Sequence, residues 1–400
     1  MLIFNGKVVA LDTIKGAKEV RVSGLIVPGF VDVQVNGGGG VLFNDAPTLS
    51  TLEPMVAAHA KYGTTALLPT LITDNIYNIE RAAEAVSQAI KNRTAGIIGV
   101  HFEGPHITVA KNGIHHADKI REIGEQELAI YCRDDLGYKV ITLAPETVSP
   151  AMIKTLVEHD VKVCLGHSNA NYQQTKAALD VGASGFTHLF NAMSPLESRE
   201  PNMIGAALDD KHSWCGLILD GHHVSPVTAR IACKAKADGK MILVTDAMST
   251  VGSDQSSFIF DGHEIHLTDD KLVSNTGQLA GAALDMISAV NNACSMLDIS
   301  LESALKMASL YPAQFLQINT KRGSLNIGST ADFVTVEHHL VTPNNHSLRV
   351  SNTWIDGIKH FYVKRITMEK INGMINAPFT AFHTDGSINL DIVPSYAATL

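Results

Sequence analysis

The sequence has little positive charge, and this shortage narrows the classes of partner that the protein can bind. Its 31 Lys and Arg residues are outnumbered by 40 Asp and Glu residues, which gives a formal net charge of −9. No run of Lys and Arg reverses this balance locally, so the chain offers no electrostatic surface for nucleic acid or an anionic membrane. A small anionic substrate is not excluded, because a few placed cations can bind one phosphate.

Cysteine and long apolar runs are also scarce. The five cysteines are odd in number, widely spaced and never in a Cys-x-x-Cys pair, which argues against a disulfide framework and a thiolate zinc site and favours a reducing cytoplasm. The N-terminus lacks the basic region, apolar stretch and small-residue cleavage site of a secretory signal, and no run approaches about 18 apolar residues. We therefore expect no export and no membrane span.

The chain does have enough apolar residues for a large core. With 400 residues and 45% hydrophobic content, it suits one barrel-sized domain with an appendage, or two to three ordinary domains. Short β-branched runs alternate with helical patterns such as residues 76–91, which is typical of βα units around a parallel sheet. Eight such runs predict a (β/α)8 barrel, with strands at 30–35, 64–69, 97–102, 139–144, 162–166, 185–190, 215–220 and 241–246.

Both chain ends are predicted to build a second, smaller domain. Strand-like segments in residues 1–27 and 320–365 favour a small β-sandwich beside an α/β barrel domain at 28–319. A hairpin is expected in FIFDGHEIHL, followed by helices near 284–296 and 301–317. No role can be assigned to the tail at 366–400.

Most barrel strands end in polar clusters, which is where the active sites of (β/α)8 barrels lie. Glu103 ends the third strand in HFEGPH, His167 ends the fifth in CLGHSN, and His188 lies in the sixth in FTHLFNAM. Each alone could be a hydrogen-bonded core residue. Together they are three metal-type ligands that would converge on one axis, as in a catalytic zinc site with an open position for water.

Asp246 follows the apolar run of the eighth strand in LVTDAM. As a structural residue it would cap a helix or stabilise a turn. As a catalytic residue it would be a general base that takes a proton from the water that the metal activates and delivers it to a leaving amine. These four residues predict a metal-dependent hydrolase.

The ordered motifs HFEGPH, LGHSNA, THLFNAM, REP, DGHHV and LVTDAM resemble the N-acetylglucosamine-6-phosphate deacetylases of the amidohydrolase superfamily. The resemblance runs from PGFVDVQVNGGGG to GSLNIGSTADF and covers about three quarters of the chain. It implies hydrolysis of N-acetyl-D-glucosamine 6-phosphate to glucosamine 6-phosphate and acetate in amino-sugar catabolism. It also implies a homodimer.

The resemblance further implies roles for residues outside the metal cluster. His115 would contact the acetamide carbonyl and stabilise the oxyanion, with His116 as a rival. Around the sugar phosphate it implies the backbone of Asn191 and Ala192, the guanidinium of Arg199 reaching from the neighbouring subunit, and the ring of His223, with His222 as a rival.

A missing motif limits the number of metal ions. Many amidohydrolases carry His-x-His at the end of the first strand, whereas this chain has Gln34 and Asn36 there. Amides are weak zinc ligands, so we expect one divalent ion, Zn²⁺ in the first instance, with Fe²⁺, Co²⁺ and Mn²⁺ as alternatives. The two amides are expected to hydrogen-bond the metal ligands or the substrate.

Three other functions stay open at this stage. No motif separates the glucosamine substrate from its galactosamine epimer or from another N-acyl compound. A cyclic-amide hydrolase or deaminase is disfavoured by the missing His-x-His pair. A catalytically silent phosphosugar-binding protein would keep Arg199 and His223 but could dispense with the ligands and Asp246, all of which are present.

Overall fold

The computed structural model describes residues 1–10, 19–342 and 345–363. In that part of the chain the strands are β1 Leu2–Phe4, β2 Lys7–Ala10, β3 Leu25–Pro28, β4 Phe30–Val35, β5 Gly37–Gly38, β6 Val41–Leu42, β7 Thr64–Ile72, β8 Gly99–Glu103, β9 Tyr138–Leu143, β10 Val161–Leu165, β11 Gly185–Phe186, β12 Trp214–Leu217, β13 Met241–Leu243, β14 Ser257–Phe260, β15 His263–Thr268, β16 Lys271–Ser274, β17 Phe333–Thr342, β18 Asn345–Ile355 and β19 Ile358–Tyr362.

The α-helices of the described residues mostly alternate with the barrel strands. They are α1 Leu49–Ala60, α2 Ile76–Asn92, α3 Glu125–Tyr131, α4 Pro150–Glu158, α5 Tyr172–Asp180, α6 Asn202–Asp209, α7 Pro226–Ala235, α8 Met286–Leu297, α9 Leu301–Ala308 and α10 Leu310–Phe315. None of them is long and apolar enough to cross a membrane.

Helix α2 illustrates how the sequence builds the outer layer of the barrel. Its start is capped by Asn75, whose side chain accepts a hydrogen bond from the Asn78 backbone, and its end turns into the left-handed conformation at Arg93. Ile79 and Val86 lie on one face and are buried against the sheet. The predicted helix at 76–91 is confirmed.

All eight predicted barrel strands lie in one parallel sheet, in the order β13-β12-β11-β10-β9-β8-β7-β4. The two edge strands meet beyond the end of β13, where Val35 bridges Ala247 in parallel. The Asn36 backbone also donates to the carbonyl of Ala247, and the Asp246 backbone donates to the carbonyl of Gln34. These contacts close the sheet into the predicted (β/α)8 barrel.

The later barrel strands are shorter than the sequence predicted. The sixth was expected to run through residue 190 and the eighth through residue 246, but they end at Phe186 and Leu243. The cause is local backbone conformation, because His188 and Asp246 adopt positive φ angles of 34° and 50°, which cannot continue a strand. Both residues therefore lie in the loops at the C-terminal end of the barrel.

The chain ends form the predicted additional β-structure. A four-stranded antiparallel sheet has the order β19-β18-β17-β3, and the β1-β2 ribbon packs over it through Val8, Phe333 and Trp354. The opposite face of the sheet packs into the main core through Val334 and Val350. The domain boundaries at 27/28 and 319/320 stay predictions, and the tail at 366–400 lies outside the described residues.

An inserted antiparallel sheet follows the eighth barrel strand. The predicted hairpin corresponds to β14 and β15, and a third strand, β16, pairs with β15. Val273 of β16 also bridges Leu279, which brings the next segment to the mouth of the barrel. The helix predicted at 301–317 is divided at Ser309 between α9 and α10, because the backbone leaves the helical conformation there.

Candidate active site

Four of the predicted functional side chains converge at the C-terminal end of the barrel. Glu103 is the last residue of β8, His167 and His188 follow the ends of β10 and β11, and Asp246 follows β13. All four are buried, with exposed fractions between 2% for Glu103 and 8% for Asp246. Residues from four different strand ends are therefore placed in one cluster by the barrel topology.

Glu103, His167 and His188 have the arrangement of a metal-ligand set. A potential ligand atom from each lies within 4.8 Å of the others. Oε1 of Glu103 is 3.4 Å from Nε2 of His167 and 3.1 Å from Nε2 of His188, and the two histidine nitrogens are 3.0 Å apart. Two imidazoles and one carboxylate match the three protein ligands of catalytic zinc sites.

The hydrogen bonding of His167 fits a ligand role. Its Nδ1 lies 2.9 Å from the backbone carbonyl of Lys111, which can only accept a hydrogen bond. Nδ1 therefore carries the proton, and in the neutral ring Nε2 presents a lone pair to Glu103 and His188. Orientation of a ligand imidazole by a carbonyl at its other nitrogen is the usual arrangement in metal sites.

Three residues of this cluster have a strained backbone. His167, His188 and Asp246 have φ angles of 47°, 34° and 50°, in the left-handed region that side chains with a Cβ seldom adopt. Each such residue costs on the order of 1–3 kcal/mol and persists only where its surroundings hold it. The turns aim the three side chains toward the barrel axis.

Gln34 and Asn36 connect the ligand set to Asp246. Nε2 of Gln34 donates to both Glu103 oxygens at 3.1 Å and to Oδ1 of Asp246 at 3.0 Å. Nδ2 of Asn36 donates to the same Oδ1 at 2.7 Å. The two amides thus hold Oδ1 in place, and Oδ2 is the Asp246 oxygen left for proton transfer.

The burial of these groups shifts their protonation. Burial, and then the charge of Glu103, raises the pKa of Asp246 to about 6. Burial alone would also raise the pKa of Glu103, but the adjacent His167 and His188 rings outweigh it and hold that pKa well below its usual range. Burial, with the neighbouring His167, lowers the pKa of His115 well below its ordinary value, so its ring is neutral.

A cavity of about 250 Å³ opens onto the cluster. It brings together nearly all the predicted site residues, and those in its lining are Asn36, Glu103, His115, His167, His188, Asn191, Ala192, His223 and Asp246. The space therefore has metal-type ligands and a carboxylate of raised pKa on one side, with loop backbone and His223 also in its wall.

Besides Gln34, three residues named from the sequence lie outside the lining of this cavity. His116 turns away and pairs with Asp118 and Asp261, and His222 is exposed. Arg199 lies on an exposed loop that spans 195–200. Of each rival histidine pair, His115 and His223 are the members that face the cavity.

Some residues at the site were not predicted from the sequence. Thr73 is hydrogen-bonded to His115, and the Asp220 carboxylate accepts a hydrogen bond from Nδ1 of His223 at 2.6 Å. Both residues follow barrel strands, so the polar residues at strand ends could have indicated them. Gln278 and Leu279 also line the cavity, but they come from the segment after the inserted sheet, where no strand-end signal exists.

Comparison with known proteins identifies the family. Residues 25–359 match the model of the amidohydrolase family. The chain belongs to the amidohydrolase family. Enzymes of this family are metal-dependent, in agreement with the Glu103, His167 and His188 cluster. The family resemblance inferred from the ordered motifs is thereby confirmed.

Among the amidohydrolases, the similar curated proteins are phosphosugar deacetylases. The chain is 48% identical over 335 residues to N-acetylgalactosamine-6-phosphate deacetylase of Shewanella sp. (strain ANA-3), covering 84% of this chain and 83% of the relative. It is 34% identical over 354 residues to N-acetylglucosamine-6-phosphate deacetylase of Haemophilus influenzae, covering 86% and 91%. The crystal structure of N-acetylglucosamine-6-phosphate deacetylase from Pasteurella multocida matches with a TM-score of 0.83 and 34% identity, over 89% and 93% of the two chains.

Proposed function

We propose that this amidohydrolase removes the acetyl group of an N-acetylhexosamine 6-phosphate, with N-acetyl-D-glucosamine 6-phosphate as the leading substrate. The products are D-glucosamine 6-phosphate and acetate, as in amino-sugar catabolism. The proposal depends on one observation: the three metal-type ligands and Asp246 line the same cavity. The deacetylase names of relatives that align over most of this chain support the choice of substrate class.

In this proposal Glu103, His167 and His188 would hold one divalent ion, which would supply Lewis acidity and lower the pKa of the attacking water. Asp246 accepts the proton of that water at Oδ2 and donates it to the leaving nitrogen. Its raised pKa suits both steps, because a group with a pKa near the working pH can take and release a proton. Gln34 and Asn36 keep the carboxylate oriented through Oδ1.

His115 is proposed to bind the acetamide carbonyl. Its ring lies in the cavity wall, with its centroid 4.2 Å from that of His167. A neutral imidazole can donate one hydrogen bond to the carbonyl oxygen, and this bond strengthens as negative charge develops there. His115 thereby stabilises the carbonyl oxygen, while Asp246 moves the proton between the water and the nitrogen.

The sugar phosphate is proposed to bind beside Asn191, Ala192 and His223. Asn191 and Ala192 present loop backbone, and the ring of His223 is oriented by Asp220. Among the described residues that line the cavity there is no lysine or arginine. We infer a homodimer in which the partner's Arg199 supplies the missing charge, since a guanidinium matches phosphate oxygens and Arg199 lies exposed on its own subunit.

One ion of Zn²⁺ is the proposed metal, because Gln34 and Asn36 stand where a second ion would need histidines. Metal analysis of freshly purified protein distinguishes zinc from iron, cobalt and manganese. A reducing cytoplasm is the proposed location, since all five cysteines of the chain are free. Recovery of the native protein with oxidised cysteines would contradict that location.

The galactosamine epimer is a second candidate substrate, favoured by the 48% identity to the Shewanella enzyme. Acetate release from both epimers is measured at several concentrations, and kcat/KM is compared. We expect acetate release from at least one of them, with the larger kcat/KM assigning the hydroxyl configuration at C4. Tight phosphosugar binding without acetate release, even after loading with Zn²⁺, would contradict the proposal and favour a binding protein.

A further inference from the structure

Thr73 is the first residue after β7 and is buried beside His115. Its Oγ1 lies 2.7 Å from Nδ1 of His115. The hydroxyl fills space that Gly104 leaves open, since a Cβ on Gly104 would lie 2.1 Å from Oγ1, and Gly104 has a φ of +78° that favours glycine. The Thr73 hydroxyl is therefore fixed between the end of a ligand-bearing strand and the ring of His115.

The role proposed for His115 decides the direction of this bond. The hydroxyl has one proton, and its other acceptor, the backbone carbonyl of Glu103, is 3.5 Å away, at the limit of a hydrogen bond. In the proposed function His115 donates from Nε2 to the acetamide carbonyl, which requires Nδ1 to accept, and the Thr73 hydroxyl at 2.7 Å is in place to donate to it. In the neutral ring the remaining proton is then on Nε2.

We propose that Thr73 is a positioning residue that holds His115 as the Nε2–H tautomer. The inference rests on the proposed function, in which His115 binds the acetamide carbonyl. A carbonyl oxygen only accepts hydrogen bonds, so the Nδ1–H tautomer would present a lone pair to it and lose the interaction. Thr73 acts on the substrate through His115 and has no direct contact with it.

The surroundings of His115 disfavour a doubly protonated ring. The side chain of His115 is 4% exposed. Among the described residues no carboxylate forms an ion pair with it, whereas Glu103 pairs with His167 and His188. A buried charge without a partner is costly, and no compensating negative charge comes from the adjacent ring, which is that of His167. One proton is therefore shared between two nitrogens, and the Thr73 hydroxyl selects which one carries it.

Three variants separate positioning from general stability. Thr73→Val removes the hydroxyl at nearly constant shape, and Thr73→Ser restores it. Thr353→Val is the matched control, because Thr353 is also buried and donates from Oγ1 at 2.7 Å, but to the carbonyl of Ala60 at the end of α1, outside the cavity lining. Each variant is purified as the full chain and loaded with Zn²⁺.

The first readout is the tautomer. Nitrogen-15 NMR of histidine-labelled, Zn²⁺-loaded protein distinguishes Nε2–H, Nδ1–H and doubly protonated rings, with His115 assigned from the spectrum of His115→Gln. We expect Nε2–H in wild type, Thr73→Ser and Thr353→Val, and loss of that single state in Thr73→Val. An Nδ1–H or doubly protonated His115 in the wild type overturns the inference without any variant.

The second readout is the kinetics of acetate release. Because the loss of one oxyanion donor costs about 10²-fold or more, we expect kcat of Thr73→Val to fall roughly 100-fold with KM within about twofold of wild type. Thr73→Ser should recover most of kcat, and Thr353→Val should leave it unchanged. An unchanged kcat and tautomer in Thr73→Val would refute the assignment. A wild type without deacetylase activity would instead refute the proposed function, while the NMR result still decides the tautomer.

Discussion

The interior of the barrel and its C-terminal end both contain buried histidines, but the two regions use them differently. His101, in β8 and two residues before Glu103, has Nδ1 2.9 Å from the carbonyl of Val33 and Nε2 2.7 Å from the hydroxyl of Thr142. His167 has only Nδ1 engaged by a carbonyl, and its Nε2 faces another histidine nitrogen and a carboxylate. A satisfied histidine stabilises the fold, whereas converging nitrogen lone pairs form a site.

Backbone conformation separates the same two regions. His101 continues an extended strand, while His167 and His188 occupy the left-handed region. Natural sequences tolerate such strain mainly where function requires it. Burial alone therefore does not distinguish a core histidine from a metal ligand. The partners of both ring nitrogens do distinguish them.

Removal of a ligand should have the largest effect. We expect Glu103→Gln to lose the metal and at least about 10⁴-fold in kcat/KM, because both water activation and carbonyl polarisation disappear. The matched control is Glu127→Gln, which changes a buried carboxylate that pairs with Arg121 outside the cavity. Metal content and acetate release are measured on the same samples. A Glu103→Gln protein that keeps its metal and its activity would contradict the ligand role of Glu103.

Asp246→Asn should reduce kcat by about 10²–10⁴-fold while the metal is retained, because proton transfer is lost but the ligand set is intact. Asp285→Asn is the control, since Asp285 is a carboxylate that caps α8 through Ser288, and asparagine caps helices equally well. Full turnover in a folded, metal-containing Asp246→Asn protein would remove Asp246 from the proposed role.

The pH dependence should follow the protonation of Asp246. A buried base whose pKa is raised to about 6 is active as the carboxylate above that pH and inactive once protonated below it. We expect kcat/KM to be level at neutral pH and to fall about tenfold per unit below pH 6. A rate that stays constant from pH 8 to pH 5 would exclude titration of the base in this range.

His101→Leu should have the smallest effect on chemistry. The substitution removes the contacts of His101 with the Val33 carbonyl and the Thr142 hydroxyl, and the hydroxyl keeps its bond to Thr187, so we expect a loss of about 1–3 kcal/mol of unfolding free energy. Metal content and kcat should stay near wild type. Chemical denaturation measures the loss of stability, and metal analysis measures metal content. If His101→Leu loses as much metal as His167→Leu, the proposed difference between the two regions is wrong.

The sequence predicted the barrel because eight apolar runs alternate with helices, and it predicted Glu103, His167 and His188 because they follow those runs. It did not predict that the sixth and eighth strands would end early, since the left-handed turns at His188 and Asp246 depend on tertiary contacts rather than on local propensity. Gln278 reaches the cavity only through the inserted sheet and the bridge between Val273 and Leu279, a contact that no local pattern encodes.

The most direct test of a single-metal deacetylase is a titration. Protein stripped with a chelator is mixed with increasing Zn²⁺, and acetate release from N-acetylglucosamine 6-phosphate and its galactosamine epimer is measured at each ratio. We predict negligible activity in the stripped protein and a linear rise that breaks at about one ion per chain, because Glu103, His167 and His188 form one ligand set. Full activity without metal, or a requirement for a second equivalent, would contradict the account.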